Sequence, residues 1–203
     1  MVLALFDFDG TISFRDSFGD FIRFAVGPWR FWLGITCLIP VVAAFLFGII
    51  RAWRAKELMA IYFFGGWDAV EFRRLAEEYS LRRLPQIVRP VALERIAAHK
   101  RKGDTVVVVT ASIDLWLRAW CQAQGVGLIA TELEVKGGRI TGRFLTKNCS
   151  GREKVRRIKE QYDLALFDRI YAYGDNPADR PMLGLAHERY YRWQRISPID
   201  GSR

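Results

Sequence analysis

The first six positions constrain the fold of this chain more than any other stretch. Val2-Leu3-Ala4-Leu5-Phe6 is an unbroken apolar run that passes directly into Asp7-Phe8-Asp9-Gly10-Thr11. A strand with one wet face alternates polar and apolar residues. A strand without alternation is covered on both faces, as in parallel sheets sandwiched between helices. Residues 105–109 are a second such run, entered from Lys102-Gly103-Asp104 and leaving at Thr110-Ala111-Ser112. Residues 169–173 are another and run into Gly174-Asp175. Residues 128–135 read as one more strand, Gly137-Gly138 as a hairpin turn into residues 139–144, and residues 188–193 as a last strand. Helical stretches fall between them at 90–102, 113–124, 153–161 and 181–186.

This alternation predicts an α/β fold: a Rossmann-like, doubly wound parallel sheet whose site lies at the C-terminal strand ends. Residues 14–89 do not fit it. They are helical by composition and rich in Trp and Phe, so they read as a cap domain inserted after the first strand. The expected division is a catalytic core at 1–13 and 90–195, a strongly apolar cap at 14–89 and a loose tail at 196–203. A chain of 203 residues is long enough for that core and an inserted subdomain. Cys37, Cys121 and Cys149 are scattered, without metal-ligand spacing, which favours free thiols in a reducing compartment. No basic leader precedes the first strand, so the catalytic machinery is expected to stay in the cytoplasm.

The polar residues at the strand ends carry the chemistry. Asp7 and Asp9 leave the first strand on the same side by alternation. Two carboxylates so placed repel one another and call for a hard, oxygen-loving cation such as Mg²⁺, which would also bind a substrate phosphate. Asp is a competent nucleophile toward phosphorus. Thr110-Ala111-Ser112, ahead of a helix expected near Ile113, offers a hydroxyl and backbone amides as a phosphate cradle. Lys154, at the start of another helix, would hold the phosphate and neutralise charge on the attacked group. In Gly174-Asp175-Asn176-Pro177-Ala178-Asp179, Asp175 could complete the metal site, and Asp179 could tether Lys154 or brace the loop. Taken singly these are an acidic turn, an ordinary helix cap, a surface lysine and a loop. Their order along the chain is what gives them weight.

That order, Asp-x-Asp-Gly-Thr, then Thr-Ala-Ser, then Lys, then Gly-Asp-x-x-x-Asp, resembles the haloacid dehalogenase-like hydrolase superfamily, and the inserted helical cap resembles its phosphoserine phosphatase-like branch. The resemblance implies Asp7 as nucleophile and Asp9 as the general acid that protonates the leaving alcohol and then activates water. It implies Thr110, the Ala111 backbone and Lys154 as phosphate ligands. Mg²⁺ would be held by Asp7, Asp175 and the carbonyl of Asp9, with Asp179 and Gly10 in support. An acid at the position of Asp9 separates phosphatases from dehalogenases, because a departing oxygen needs a proton and a halide does not. Asp16, nine positions after the nucleophile, would meet substrate from the cap. It stands where phosphoserine phosphatases carry Glu, and Ala178 stands where they carry Asn.

Residues 31–50, FWLGITCLIPVVAAFLFGII, hold no charge and are bracketed by Arg30 and by Arg51, Arg54 and Lys56. The run is long enough for a transmembrane helix. A single crossing would put Asp7 on one side of a bilayer and its partners on the other. The expectation is therefore a bent or re-entrant hairpin, broken near Pro40, entering one leaflet of an anionic membrane. The alternative is that the stretch is the buried core of the cap. Asp16-Ser17-Phe18-Gly19-Asp20, this run, Cys149-Ser150-Gly151-Arg152-Glu153-Lys154 and the Tyr-x-Tyr-Gly-Asp strand together resemble the phosphatidylglycerophosphatase C family of bacterial inner-membrane enzymes. That resemblance implies a lipid phosphate monoester as substrate, at the cytoplasmic face of the inner membrane. A cytoplasmic enzyme for a small metabolite such as phosphoserine or a sugar phosphate is the alternative, and a non-catalytic membrane-binding module a more distant one. The net charge of +9 suits any anionic partner. Nucleic acid fits poorly, since the basic residues are dispersed and no stacking groove is discernible. Oligomeric state is left open.

Overall fold

The computed structural model describes residues 1–197. The chain begins with β1 (Val2–Phe6), then forms five helices: α1 (Ser17–Val26), α2 (Pro28–Cys37), α3 (Ile39–Leu46), α4 (Ala52–Phe64) and α5 (Ala69–Glu78). A π-helical turn at Tyr79–Arg83 and a 3-10 turn at Leu84–Ile87 lead to α6 (Pro90–Arg101). There follow β2 (Thr105–Ile113), α7 (Arg118–Gln124), β3 (Gly127–Thr131), β4 (Leu133–Lys136), β5 (Arg139–Phe144), α8 (Arg152–Gln161), β6 (Arg169–Gly174), α9 (Arg180–Leu183), β7 (Glu188–Tyr191) and β8 (Gln194–Ile196).

Six strands form the main sheet in the order β3-β2-β1-β6-β7-β8. All pair in parallel except β8, which returns antiparallel to β7. The unalternated run of β1 explains its central place. Leu3 and Leu5 face a core shared with Val107, Val109, Ile158 of α8 and Met182 of α9. Ala4 and Phe6 face the other core, with Val106, Val108, Ile96 of α6 and Trp120 of α7. That second core continues without a break into the cap, through Phe21, Phe64, Phe72 and Tyr79. Burying side chains of this size is worth roughly 1.5–3 kcal/mol each, so cap and core are joined by a shared interior.

Several sequence expectations are corrected in detail. Residues 128–135 are two strands, not one, because only β3 joins the main sheet while β4 and β5 form a separate hairpin. The hairpin packs on the cap: Ile140 N–H donates to Trp67 C=O at 2.9 Å and Phe144 N–H to Glu57 Oε1 at 3.0 Å. The expected helix over 113–124 begins only at Arg118, because β2 runs on through Ile113. The stretch 181–186 is shorter, with α9 ending at Leu183. The last strand is a β7–β8 hairpin, and Ile196, expected in the tail, is part of it. The rest of that tail, from 198, lies outside the described residues.

The uncharged run is bent. Among the described residues no single helix is long and apolar enough to cross a membrane, and α2 and α3 meet at 60° across Leu38. Pro40 lies in the first turn of α3, where its missing N–H costs nothing. The run is not the buried core of the cap. Within it Phe47 is 82% exposed, and Trp32, Leu33, Leu46 and Ile49 are exposed as well, as is Trp29 just before it.

Candidate active site

The strand ends of β1, β2 and β6 and the N-terminal turn of α8 meet beside the cap in a cleft of about 460 Å³. Asp7, Asp9, Gly10, Asp16, Thr110, Ala111, Lys154 and Asp179 line it together. Asp175 stands behind that wall, against Gly10. All the residues singled out from sequence are thus brought together, though not all in the expected roles.

Lys154 is the pivot. It is 2% exposed, and its Nζ donates to Asp7 Oδ1 at 2.5 Å and to Asp179 Oδ1 at 2.7 Å. Burial disfavours its charge, but Asp7 and Asp179 outweigh that and raise its pKa. Asp7 is likewise dominated by burial, which pushes its carboxyl up to about 7 against the pull of Lys154, with Asp179 and Asp9 adding repulsion. Asp179 is fully engaged, since its second oxygen accepts the N–H groups of Asp175 and Asn176 at 3.2 and 3.1 Å. It tethers the lysine and braces the loop. Gly174 lets it do so: a Cβ there would fall 2.6 Å from Cβ of Asp179.

Asp7, Asp175 and Asp179 each place one carboxylate oxygen within 4.8 Å of the others. Asp175 has Thr11 Oγ1 at 3.1 Å as its side-chain donor, and burial raises its pKa. Three carboxylates beside one ammonium leave negative charge uncompensated, and a hard divalent cation meets that deficit. The residues therefore fit Mg²⁺. Gly10 secures the geometry, for it has φ +86° and a Cβ on it would lie 2.3 Å from Asp175 Oδ2.

Asp9 departs from expectation. Strand alternation does not govern its carboxylate, because β1 ends at Phe6, and although it lines the same cleft as Asp7 it does not join the Lys154 bridge. It stands outside the three-carboxylate cluster and faces the cap. Oδ1 accepts the N–H of Ser17, the first residue of α1, at 2.7 Å, and Oδ2 accepts the Ser112 hydroxyl at 2.7 Å. Behind it the donors are ordered: the Trp116 indole donates to Ser17 Oγ at 3.4 Å, and Ser17 Oγ donates to Ser112 Oγ at 2.7 Å. Burial, then the charge of Asp16, raises the Asp9 pKa against Lys56 and these hydrogen bonds.

Thr110 and Ala111 do not sit at a helix N-terminus, as expected, but in a bulged strand. The pairing of β2 with β3 shifts register between Val109 and Ile113, and Thr110 Oγ1 accepts the Ser112 N–H at 3.0 Å. Asp16 is the N-cap of α1, accepting from Gly19 N–H at 2.8 Å, and it also meets Lys56 Nζ at 3.3 Å. Lys56, in sequence a flank of the apolar run, reaches the cleft from α4. Burial opposes its charge, but Asp16, Asp9 and Asp7 raise its pKa. Ser17 and Ser112 were likewise not singled out. Only Ser112 had a signal, as the third residue of Thr-Ala-Ser.

Residues 4–184 match the family model described as haloacid dehalogenase-like hydrolase. Protein CicA of Caulobacter vibrioides is 34% identical over 202 residues, covering 97% of this chain and 88% of that protein. A Bordetella pertussis protein of unknown function superposes with a TM-score of 0.80 at 27% identity, covering 94% of this chain and 89% of that one. A substrate-bound phosphoserine phosphatase shares the fold, with a TM-score of 0.66 at 18% identity over 93% of this chain and 84% of its own. The chain belongs to the haloacid dehalogenase-like hydrolases.

Proposed function

We propose that this chain is a Mg²⁺-dependent phosphomonoester hydrolase working through an aspartyl-phosphate on Asp7, with a membrane lipid phosphate as substrate. The observation that carries the chemistry is the bridge from Lys154 to Asp7 and Asp179, with Asp175 alongside. Asp7, Asp175 and the Asp9 carbonyl would hold Mg²⁺, which when bound would supply positive charge to offset that of the phosphate. Lys154 and the bulged Thr110-Ala111 strand hold the phosphate oxygens. An Asp7 carboxylate oxygen attacks phosphorus, and the bond to the ester oxygen breaks. Asp9, its pKa raised, gives its proton to that oxygen. A water then attacks the phosphoryl group while Asp9 takes back a proton, and the bond to Asp7 breaks.

The lipid assignment is supported by the exposed apolar surface of α2 and α3 and by the basic residues that border it. It places the enzyme at the cytoplasmic face of the bacterial inner membrane. A second reading, a phosphatase for a small zwitterionic metabolite, is favoured by the Asp16–Lys56 pair in the cleft. The two are separated by measuring phosphate release from phosphatidylglycerophosphate, phosphatidic acid and phosphoserine with Mg²⁺. The lipid reading expects both lipids to turn over faster than phosphoserine, and the reverse order refutes it. Asp7→Asn should be inert toward all three. Retained turnover in that variant would remove the mechanism.

A further inference from the structure

The catalytic cleft does not end at the cap. It shares Ala52, Trp53, Asn148 and Ser150 with a second groove of about 810 Å³, which runs between the start of α4 and the chain leaving β5. Phe144, Leu145 and Trp53 give this groove an apolar lining, and Leu145 is 61% exposed within it.

The charges along the groove are unequal in effect. Its two acids are already matched: Glu57 pairs with Arg54 and accepts from Phe144 N–H, and Glu153 pairs with Arg156 and Arg157. Those arginine contacts hold Glu153 down to about 2. The two basic side chains on the wall, Arg51 and Lys147, have no ion-pair or hydrogen-bond partner among the described residues. The groove therefore presents net positive charge beside apolar surface. Arg51 and Trp53 follow in sequence upon Phe47 and Ile49, so one end lies where the exposed apolar tip of the cap returns to the core.

We infer that this groove is the subsite for the leaving group of the substrate. The phosphate monoester sits at Asp7 and Lys154, an anionic section of the leaving alcohol meets Arg51 and Lys147, and its apolar body lies along Trp53, Phe144 and Leu145. The inference rests on the phosphatase reading above and adds the place and chemistry of the leaving group. The cleft around Asp7, about 460 Å³, accommodates a small phosphate ester by itself, so occupancy of the groove is a matter of specificity and not of the chemical step.

The test compares three esters on the Mg²⁺-loaded enzyme: p-nitrophenyl phosphate, dioctanoyl phosphatidic acid, and dioctanoyl phosphatidylglycerophosphate, whose leaving group carries a phosphodiester. Leu145→Glu, a change at an exposed position, should lower kcat/KM for both dioctanoyl esters roughly tenfold, the scale of burying one apolar side chain. It should leave p-nitrophenyl phosphate within about twofold. Arg51→Ala combined with Lys147→Ala should raise KM for the phosphodiester-bearing substrate alone. Equal losses on all three esters, or no loss on any, overturn the groove while the phosphatase stands. A wild-type enzyme inert toward all three overturns the phosphatase reading, and the groove falls with it.

Discussion

At the scale of single residues, the site is organised by the shortage of cations. Three carboxylates converge and one buried ammonium serves two of them. Removing that lysine would strand two buried carboxylates, a change that costs about 3–5 kcal/mol in comparable pairs. Asp175 is the carboxylate with least compensation, since its side chain has only a hydroxyl donor among the described residues. Mg²⁺ should therefore raise the melting temperature of the wild-type protein, by a stabilisation of about 2.7 kcal/mol at one hundred times its dissociation constant. Asp175→Asn should abolish most of that gain while leaving the metal-free melting temperature nearly unchanged. Thermal melts with and without Mg²⁺, which need no substrate, check this. An equal rise in the variant would remove Asp175 from the metal site.

At the scale of elements, an aromatic column sets the two carboxylate-bearing strands side by side. Phe6, Tyr173 and Tyr190 are register partners across β1, β6 and β7. Their rings stack at 4.2 and 4.7 Å with nearly parallel planes. Asp7 follows Phe6 directly, and Asp175 follows Tyr173 by two positions. The column is anchored from α6: His99 Nε2 lies 2.9 Å from the Tyr173 hydroxyl and Nδ1 lies 2.7 Å from Asp104. Burial lowers the His99 pKa, with Asp104 opposing and Arg95 and Lys102 assisting. A neutral ring that donates to Asp104 and accepts from Tyr173 satisfies both bonds. Since the folded pKa lies below the ordinary 6.5, the unfolded chain binds more protons in that window. Stability contributed by neutral His99 is present above 6.5 and declines as pH falls below it. Urea titrations at pH 7.5 and 5.5 should show a smaller difference for His99→Gln than for wild type. An unchanged difference would mean that other groups carry the acid sensitivity.

At the scale of the whole molecule, the cap does two things with one stretch of chain. Its inner faces join the core through Phe21, Phe64 and Tyr79, while α2 and α3 leave large apolar side chains outside. On the proposed membrane reading, this tip inserts into one leaflet and the cleft stays in water. Trp29→Ser with Trp32→Ser should then release the protein from phosphatidylglycerol vesicles in a flotation assay. Both positions are exposed, so folding and hydrolysis of small esters should be unaffected. Wild-type protein that fails to float with such vesicles would refute the membrane role.

The sequence by itself determined what depends on local chemistry. Unalternated apolar runs demand burial on both faces, and this settled the central strands, the doubly wound sheet and the site at their ends. The spacing of Asp7, Lys154, Asp175 and Asp179 was legible for the same reason, since each follows a strand or opens a helix. The uncharged run predicted a bend near Pro40, and the break falls at Leu38. Only the tertiary structure decided which groups face one another. Asp9 turned to Ser17 and Ser112, β4 and β5 left the sheet to pack on the cap, and Lys56, read as a membrane flank, entered the cleft. Periodicity says which face of an element is apolar, but the partner of a polar side chain is chosen by packing between segments far apart in sequence. No local pattern records that choice.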